Sequence, residues 1–242
     1  MKIVRADWEK RNLGVVTYEI SVEATDSVSS LDAALNECDE SEYTVLKVDS
    51  TNSEASGYAR KHGFDFIEAC ADLTLKPQDY ISNKRLLPVI RRCSYKQMDK
   101  DDLDYLYDQI NKGIFKTDRI YLDEHFDHSA AFCRYINWIK DLTEAGHPAY
   151  NVYYDDTLVG FFIHKRLDGN IYDGILAGAY EGFEGTGMGY CVQWAGYDHV
   201  AASGGELYLG HVSLTNVNAY KILMSMGFKV SAIKYVFVKH KN

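Results

Sequence analysis

Apolar and polar positions along the chain switch between a period of two and a period near 3.6, and the switches mark out alternating strands and helices. Residues 43–48 and 65–75 predict strands on either side of a helix over 53–62. Residues 99–110 predict a helix whose first turn is crowded with acidic side chains, as the positive end of a helix dipole favours. A second helix is predicted over 127–143, where Ala131, Tyr135, Trp138 and Leu142 recur at helical spacing as a core stripe. Residues 151–154 and 158–164 flank Asp155-Asp156-Thr157, a hairpin signal. Asp168-Gly169-Asn170 turns into an apolar strand, 171–179, followed by a helix over 190–202, a strand over 206–211 and a long final strand over 229–239. Two stretches break the pattern. Residues 76–87, with a proline, an asparagine and polar side chains, predict a linker; residues 112–128 are irregular and rich in aromatics and charge.

The pattern repeats. Val48, Thr51, Asn52, Ala55, Gly63 and Phe64 recur as Val212, Thr215, Asn216, Ala219, Gly227 and Phe228, each pair separated by 164 residues. Both copies read strand, helix, Gly-Phe, strand, where the glycine suits a helix C-cap and the phenylalanine anchors the next strand. Only the second copy is preceded by a glycine-rich turn.

That turn, residues 180–189 (Tyr-Glu-Gly-Phe-Glu-Gly-Thr-Gly-Met-Gly), lies between a strand and a helix. Backbone N–H groups at the positive end of a helix dipole bind phosphate, and glycines let the backbone approach a ligand closely. It is not a Walker loop, because Gly189 is followed by Tyr190. Nor is it a G-x-G-x-x-G fingerprint, because the residue three after Gly187 is also Tyr190. Glu184-Gly-Thr-Gly-Met-Gly189 resembles the pyrophosphate loop of the GNAT N-acetyltransferase superfamily, Gln/Arg-x-x-Gly-x-Gly/Ala. Asn216-x-x-Ala219…Gly227-Phe228 resembles its second motif, Asn-x-x-Ala-x-x-Leu-Tyr-x-x-x-Gly-Phe. Shorter matches at Trp8-Glu9…Leu13-Gly14, Phe115…Asp118-Arg119 and Ala232-Ile-Lys-Tyr235-Val-Phe are similar to the TDP-fucosamine N-acetyltransferase group, which acetylates a nucleotide-linked amino sugar. The resemblance implies an α/β GNAT fold with a mixed central sheet flanked by helices. It divides the chain into a degenerate GNAT-like half over 1–80 and an acetyltransferase domain over 81–242. It also implies acetyl-CoA as the acyl donor and a small-molecule amine as acceptor. An amino acid, an aminoglycoside, or a non-catalytic acyl-CoA sensor are the competing readings. Two positions depart from the pattern: Glu184 puts an anion where a diphosphate would bind, and Leu223 stands where a tyrosine commonly protonates the departing thiolate.

Composition narrows the partners. A net charge of −9 gives no support to nucleic-acid binding, so an anionic ligand must be held by local donors. The five cysteines form no C-x-x-C and no even framework, which fits reduced thiols in a cytoplasmic protein with no metal site. The first residues lack a signal-peptide core, and no apolar run reaches the ~20 residues of a membrane helix, so no membrane partner is expected. A homodimer is compatible with the sequence.

Acetyl transfer needs a polarised carbonyl, a deprotonated amine and a stabilised thiolate. The resemblance implies that the diphosphate binds Glu184, Gly185, Thr186, Gly187, Met188 and Gly189, and that the pantetheine arm pairs with backbone groups of Ala177 and Ala179. Asn216 either contacts the pantetheine or caps its own helix. Asp173 is the first candidate base, against a plain solvated aspartate at a strand start; alternation would put Asp173, Ile175, Ala177 and Ala179 on one face. His211, with an ordinary pKa near ~6.5, is a proton-shuttle candidate or a structural histidine. Tyr220, one turn before Leu223, is the substitute acid, or else a solvent-exposed thiolate, with a pKa near ~8.5, leaves without one. Residues 112–128 are expected to recognise the acceptor, with Arg119 binding its phosphate or carboxylate, or else forming a surface salt bridge to Asp118 or Asp123.

Overall fold

A computed structural model describes residues 1–241. The first half of the chain runs β1 (Lys2–Arg5), α1 (Asp7–Leu13), β2 (Thr17–Val22), α2 (Val28–Glu37), β3 (Tyr43–Asp49), α3 (Ser53–Lys61) and β4 (Asp65–Leu75). The remainder runs α4 (Leu87–Ile90), β5 (Cys93–Gln97), α5 (Lys100–Asn111), α6 (Arg119–Leu122), α7 (His128–Glu144), β6 (Ala149–Tyr154), β7 (Thr157–Arg166), β8 (Ile171–Ala179), α8 (Met188–Ala202), β9 (Leu207–Ser213), α9 (Val217–Ser225) and β10 (Lys229–His240). All ten strands form one mixed sheet in the order β1-β2-β3-β10-β4-β9-β8-β7-β6-β5.

The order shows an exchange. The last strand, β10, lies between β3 and β4, while β4 lies between β10 and β9. The repeat seen in the sequence governs the ladder. Lys229 faces Thr74 and Val238 faces Asp65, the same pair after an offset of 164; Lys234 and Cys70 face each other at the centre. Even the bulges match, with Ser231 and Ile67 as the two extra residues. Tyr235 on Val48 and Ala71 on Val212 repeat the relation in the flanking ladders. The two strand–helix–strand units are therefore related by a local twofold axis perpendicular to the sheet at Lys234 and Cys70.

Local chemistry explains why both copies fold alike. Asn52 and Asn216 cap α3 and α9, their Oδ1 atoms accepting from the N–H groups of Ala55 and Ala219. Both helices stop at a left-handed glycine, Gly63 (φ 74°) and Gly227 (φ 97°). The next N–H turns back to the helix, Phe64 to Ala59 O and Phe228 to Leu223 O, so each end closes as a glycine C-cap with the phenylalanine buried.

Helices α2, α3, α8 and α9 cover one face of the sheet, on Leu46, Val48, Leu73 and Tyr208 among others. Helices α5, α6 and α7 cover the other. The stripe of α7 is Ala131, Tyr135, Ile139 and Leu142; Trp138, expected in it, lies at the edge of a surface cavity. The 76–87 segment is held against the second half, with Tyr80 stacked 4.1 Å from Tyr197 and Ile81 N–H donating to Met226 O. The irregular 112–128 stretch contains α6, capped by Asp118.

A buried charge cluster fastens α1, α6 and α7 to β2. Glu9 is fully buried and accepts from Arg119 Nη2 and Arg134 Nε, both at 2.8 Å. Arg119 Nη2 also donates to Glu19 at 2.6 Å, and Lys47 donates to Glu19 at 2.6 Å. Burial pushes Glu19 up, but Arg119 and Lys47 outweigh it and hold its carboxyl at about 2. Removing one partner of a buried ion cluster leaves the others uncompensated. Glu9→Ala is expected to lower stability by about 3–5 kcal/mol, read as a fall in the urea midpoint; a loss under 1 kcal/mol would show the cluster contributes little.

Candidate active site

A fork in the sheet defines the site. Strands β8 and β9 run parallel and pair only from Ile171–Leu207 to Gly174–Gly210. The equivalent strands β2 and β3 pair along six residues, Thr17–Tyr43 to Val22–Val48. One half of the molecule is thus zipped shut where the other opens. The cause is a bulge at Ile175: His164 pairs with Gly174 and Ile163 with Leu176, leaving Ile175 extra. A bulge bends its strand and stops pairing on the far side. Beyond it, Tyr180 N–H and the Gly178 carbonyl point at β7. Backbone groups alternate sides along a strand, so the N–H groups of Ala177 and Ala179 face the open fork.

The bulge also corrects the expected face. Asp173 lies opposite Lys165 and shares a face with Leu176 and Gly178, which meets Phe115 and Phe161. Ala177 lies on the other face, against α8 with Phe162. Plain alternation fails because one residue is inserted between them.

The glycine loop stands at the wide end of the fork. Gly182, Gly185 and Gly187 have φ of 85°, 73° and 91°, conformations that other residues adopt only with strain. Gly187 is the N-cap of α8 and supplies no side-chain acceptor, so the first N–H groups of a 15-residue helix remain available. Glu184, Gly185, Thr186 and Gly187 are exposed, and Met188 and Gly189 partly so. Glu184 folds back and accepts from Gly182 N–H at 2.9 Å, so its carboxylate already rests on one loop donor. The Thr186 hydroxyl donates to Phe183 O at 2.7 Å. Gly189 is inside α8; a Cβ there would lie 3.3 Å from Ile222, so its smallness serves helix packing.

Asn216 caps α9 through Oδ1 at 3.2 Å, and among the described residues its Nδ2 donates to nothing. The equivalent Asn52 spends its Nδ2 on the carbonyls of Glu23 and Asp26. Leu223 is buried in the core of α8 and α9, and Tyr220 packs partly buried against the same core. Arg119 is 7% exposed and sits in the Glu9–Glu19 cluster rather than in a surface bridge to Asp118 or Asp123. The start of the 112–128 stretch does reach the fork: Phe115 packs on Gly178, and Thr117 O accepts from Thr215 Oγ1 at 3.4 Å.

His211 lies where the strands part. Its Nδ1 is 2.8 Å from Asp72 Oδ1 and its Nε2 is 3.1 Å from Asp173 Oδ1. Lys234 adds an ion pair to Asp72 at 2.9 Å. The hydrogen bonds to Asp173 and then Asp72 raise the imidazole to about 9. The hydrogen bond from His211, with Lys234, lowers Asp72 to about 2. His211 is therefore an imidazolium at neutral pH, not the neutral shuttle its ordinary pKa suggested. Glu19 and Lys47 hold the equivalent places on β2 and β3 of the other half.

No protein-family model and no curated protein matches the chain. Solved structures do. A GCN5-related N-acetyltransferase from Sphaerobacter thermophilus aligns over 99% of this chain and 75% of its own, at 9% identity and TM-score 0.63. A GCN5-related glucosamine N-acetyltransferase region of a fungal multi-domain GH3 β-N-acetylglucosaminidase aligns over 98% of this chain and 31% of its own, at 14% identity and TM-score 0.60. A tandem GNAT protein from the clavulanic acid pathway aligns over 88% and 69%, at 10% identity and TM-score 0.57. The fold is the GNAT fold. In it, β8 and β9 are the forked pair and residues 180–189 the loop above the fork. Among the described residues, no helix is long and apolar enough to cross a membrane.

Asp72 and Lys234 escaped the sequence reading, because only the exchanged strands β4 and β10 carry them to His211. A single charge inside an otherwise uncharged stretch, Asp72 in 69–75 and Lys234 in 230–238, was their one signal. Linkage gives the sign of their effect. A raised His211 contributes stability that is complete below its ordinary ~6.5 and is lost as pH rises through about 9. In an NMR titration His211 is expected to titrate near 9 and to move toward the ordinary value in Asp72→Asn. An unperturbed midpoint in the parent would overturn the assigned pairing.

Proposed function

We infer that the protein is an acetyl-CoA-dependent N-acetyltransferase acting on a small-molecule amine, possessing one acyl-CoA site, in its second half. The observation that carries this reading is the fork between β8 and β9 with the uncapped glycine loop above it, against the zipped β2–β3 pair of the other half. The residues present fit the donor molecule. Loop N–H groups and the α8 dipole suit a diphosphate, the N–H groups of Ala177 and Ala179 suit an arm lying in the fork, and Asn216 Nδ2 has a free donor. Acetyl-CoA would supply the acetyl group as an activated thioester.

The chain's own groups then divide the proton work. His211 holds a proton between Asp72 and Asp173 at the fork. Its pKa of about 9 is close to the ~8.5 of a free thiol, the match a general acid for a thiolate needs. It takes the role that the missing tyrosine at Leu223 leaves open, with Tyr220 as the alternative. In this reading Asp173 accepts the acceptor's proton and keeps the imidazole oriented. Phe115 and Thr117 roof the acceptor side. Amino sugars, nucleotide-linked or free, come first among acceptors: the short motifs resemble enzymes that acetylate them, and one structural neighbour carries a glucosamine N-acetyltransferase region. The Glu184 carboxylate on Gly182 N–H favours a second reading, a sensor that binds acyl-CoA without turnover.

Calorimetry with CoA and turnover with an amine panel separate these readings. Gly187→Val, at φ 91°, is expected to abolish CoA binding while the circular dichroism spectrum stays unchanged; full affinity would remove the loop from the site. In the active enzyme, kcat should fall as pH rises through about 9. His211→Gln should erase that limb and lower kcat about 10²–10⁴-fold. If Tyr220→Phe has that effect and His211→Gln does not, the acid is Tyr220. CoA binding with no turnover on any amine selects the sensor.

A further inference from the structure

We propose that the cavity between α1, β2, β3, α6 and α7 is a second binding site, for a small ring compound carrying one carboxylate or phosphate. It lies in the half of the molecule whose strands are zipped. Glu19 on β2 is five strand spacings from Asp173 on β8, roughly 24 Å at ~4.8 Å per strand. Between the two places Arg119 of α6, Tyr135 of α7 and Glu68 of β4 are buried. A molecule in this cavity would not occupy the fork.

The cavity encloses about 440 Å³, within the range of small-molecule sites. Trp8, 44% exposed, and Trp138 line it, with the Arg134 guanidinium 5.9 Å over the Trp138 ring. Arg11, Lys47, Arg119 and Arg134 face it against only Glu19 and Asp141, an excess of two positive charges (four minus two) in a protein of net charge −9. Glu9 behind the wall reduces the excess to one, but it is fully buried.

What decides the ligand is which hydrogen-bonding capacity is left. Each carboxylate is already engaged by a cation. Glu19 takes Arg119 on one oxygen and Lys47 on the other; Asp141 takes both Nη groups of Arg11; Glu9 takes Arg119, Arg134 and Asn12. The cations keep spare donors. Lys47 spends one of three protons. Arg134 donates only through Nε, and its Nη1 comes no nearer than 4.0 Å to Asp118. Arg119, almost wholly buried, has an Nε with no partner among the described residues. Spare cationic donors beside two indoles fit an anion on a ring: charge-assisted bonds hold the anion, and the indoles offer apolar contact to the ring. A cation would compete with Arg11, Arg119 and Lys47 for carboxylates that they already neutralise.

Isothermal calorimetry with glucose 1-phosphate, uridine 5′-monophosphate and benzoate tests this, with inorganic phosphate and glucose as single-feature controls. At least one anionic ring probe is expected to bind saturably, at least tenfold tighter than either control. Trp8→Ala and Lys47→Gln, both partly exposed positions that leave the buried Glu9–Arg119 pair intact, should each weaken it at least tenfold while CoA affinity stays at the parent value. Circular dichroism and the melting curve confirm folding. No saturable binding by any ring probe, equal binding of inorganic phosphate, or unchanged affinity in either variant overturns the proposal. Loss of CoA binding in Gly187→Val with ring-probe binding retained is expected, so failure of the acyl-CoA site and failure of this one are read separately.

Discussion

Neither half of this chain can complete its sheet alone. The strand that ends the first half, β4, is bonded on both sides by strands of the second, β10 and β9; β10 in turn lies between β3 and β4. Buried backbone N–H and C=O groups must be paired, so the hydrogen bonds of each half's last strand depend on the other half. The exchange puts a local twofold axis at Lys234 and Cys70 and fixes the faces on either side of it. It also joins side chains from opposite halves: Asp72 of the first unit and Lys234 of the last strand both reach His211 or its partner.

A symmetric frame carries an asymmetric site because few residues break the symmetry. The bulge at Ile175 opens β8 from β9, while β2 and β3 remain paired through the equivalent positions. Asn52 and Asn216 make the same cap, but only Asn52 has its amide nitrogen taken by neighbouring carbonyls. The glycine loop has no counterpart before β3. Each difference leaves the second half with donors that no protein group takes, and unpaired donors are what an anionic ligand with an extended arm requires.

The charged pairs at equivalent places show how context sets chemistry. Glu19–Lys47 lies under α6 and α7 and is joined by Arg119, which makes it part of a buried network. Asp173–His211 lies at the open fork, where two carboxylates share one imidazole and keep it protonated. The first arrangement fastens helices to the sheet and borders a cavity with surplus donors. The second holds a proton beside a slot.

The sequence by itself determined the elements, the repeat and the loop. Capping residues, the two Gly-Phe ends and the apolar periods are local, so the strand–helix–strand units and the strand–loop–helix at 171–202 were legible, and with them the α/β fold, the strands that carry Asp173 and His211, and the helix cap at Asn216. Tertiary structure alone decided the rest. Strand exchange is a pairing between residues more than a hundred positions apart, and no local period encodes it. The bulge that turned Ala177 away from Asp173 is one residue of register, invisible to an alternation count. The protonation of His211 depends on Asp72, 139 positions away, and the role of Arg119 on Glu9, 110 positions away. A charge takes its state from its neighbours in space, and a sequence lists only its neighbours along the chain.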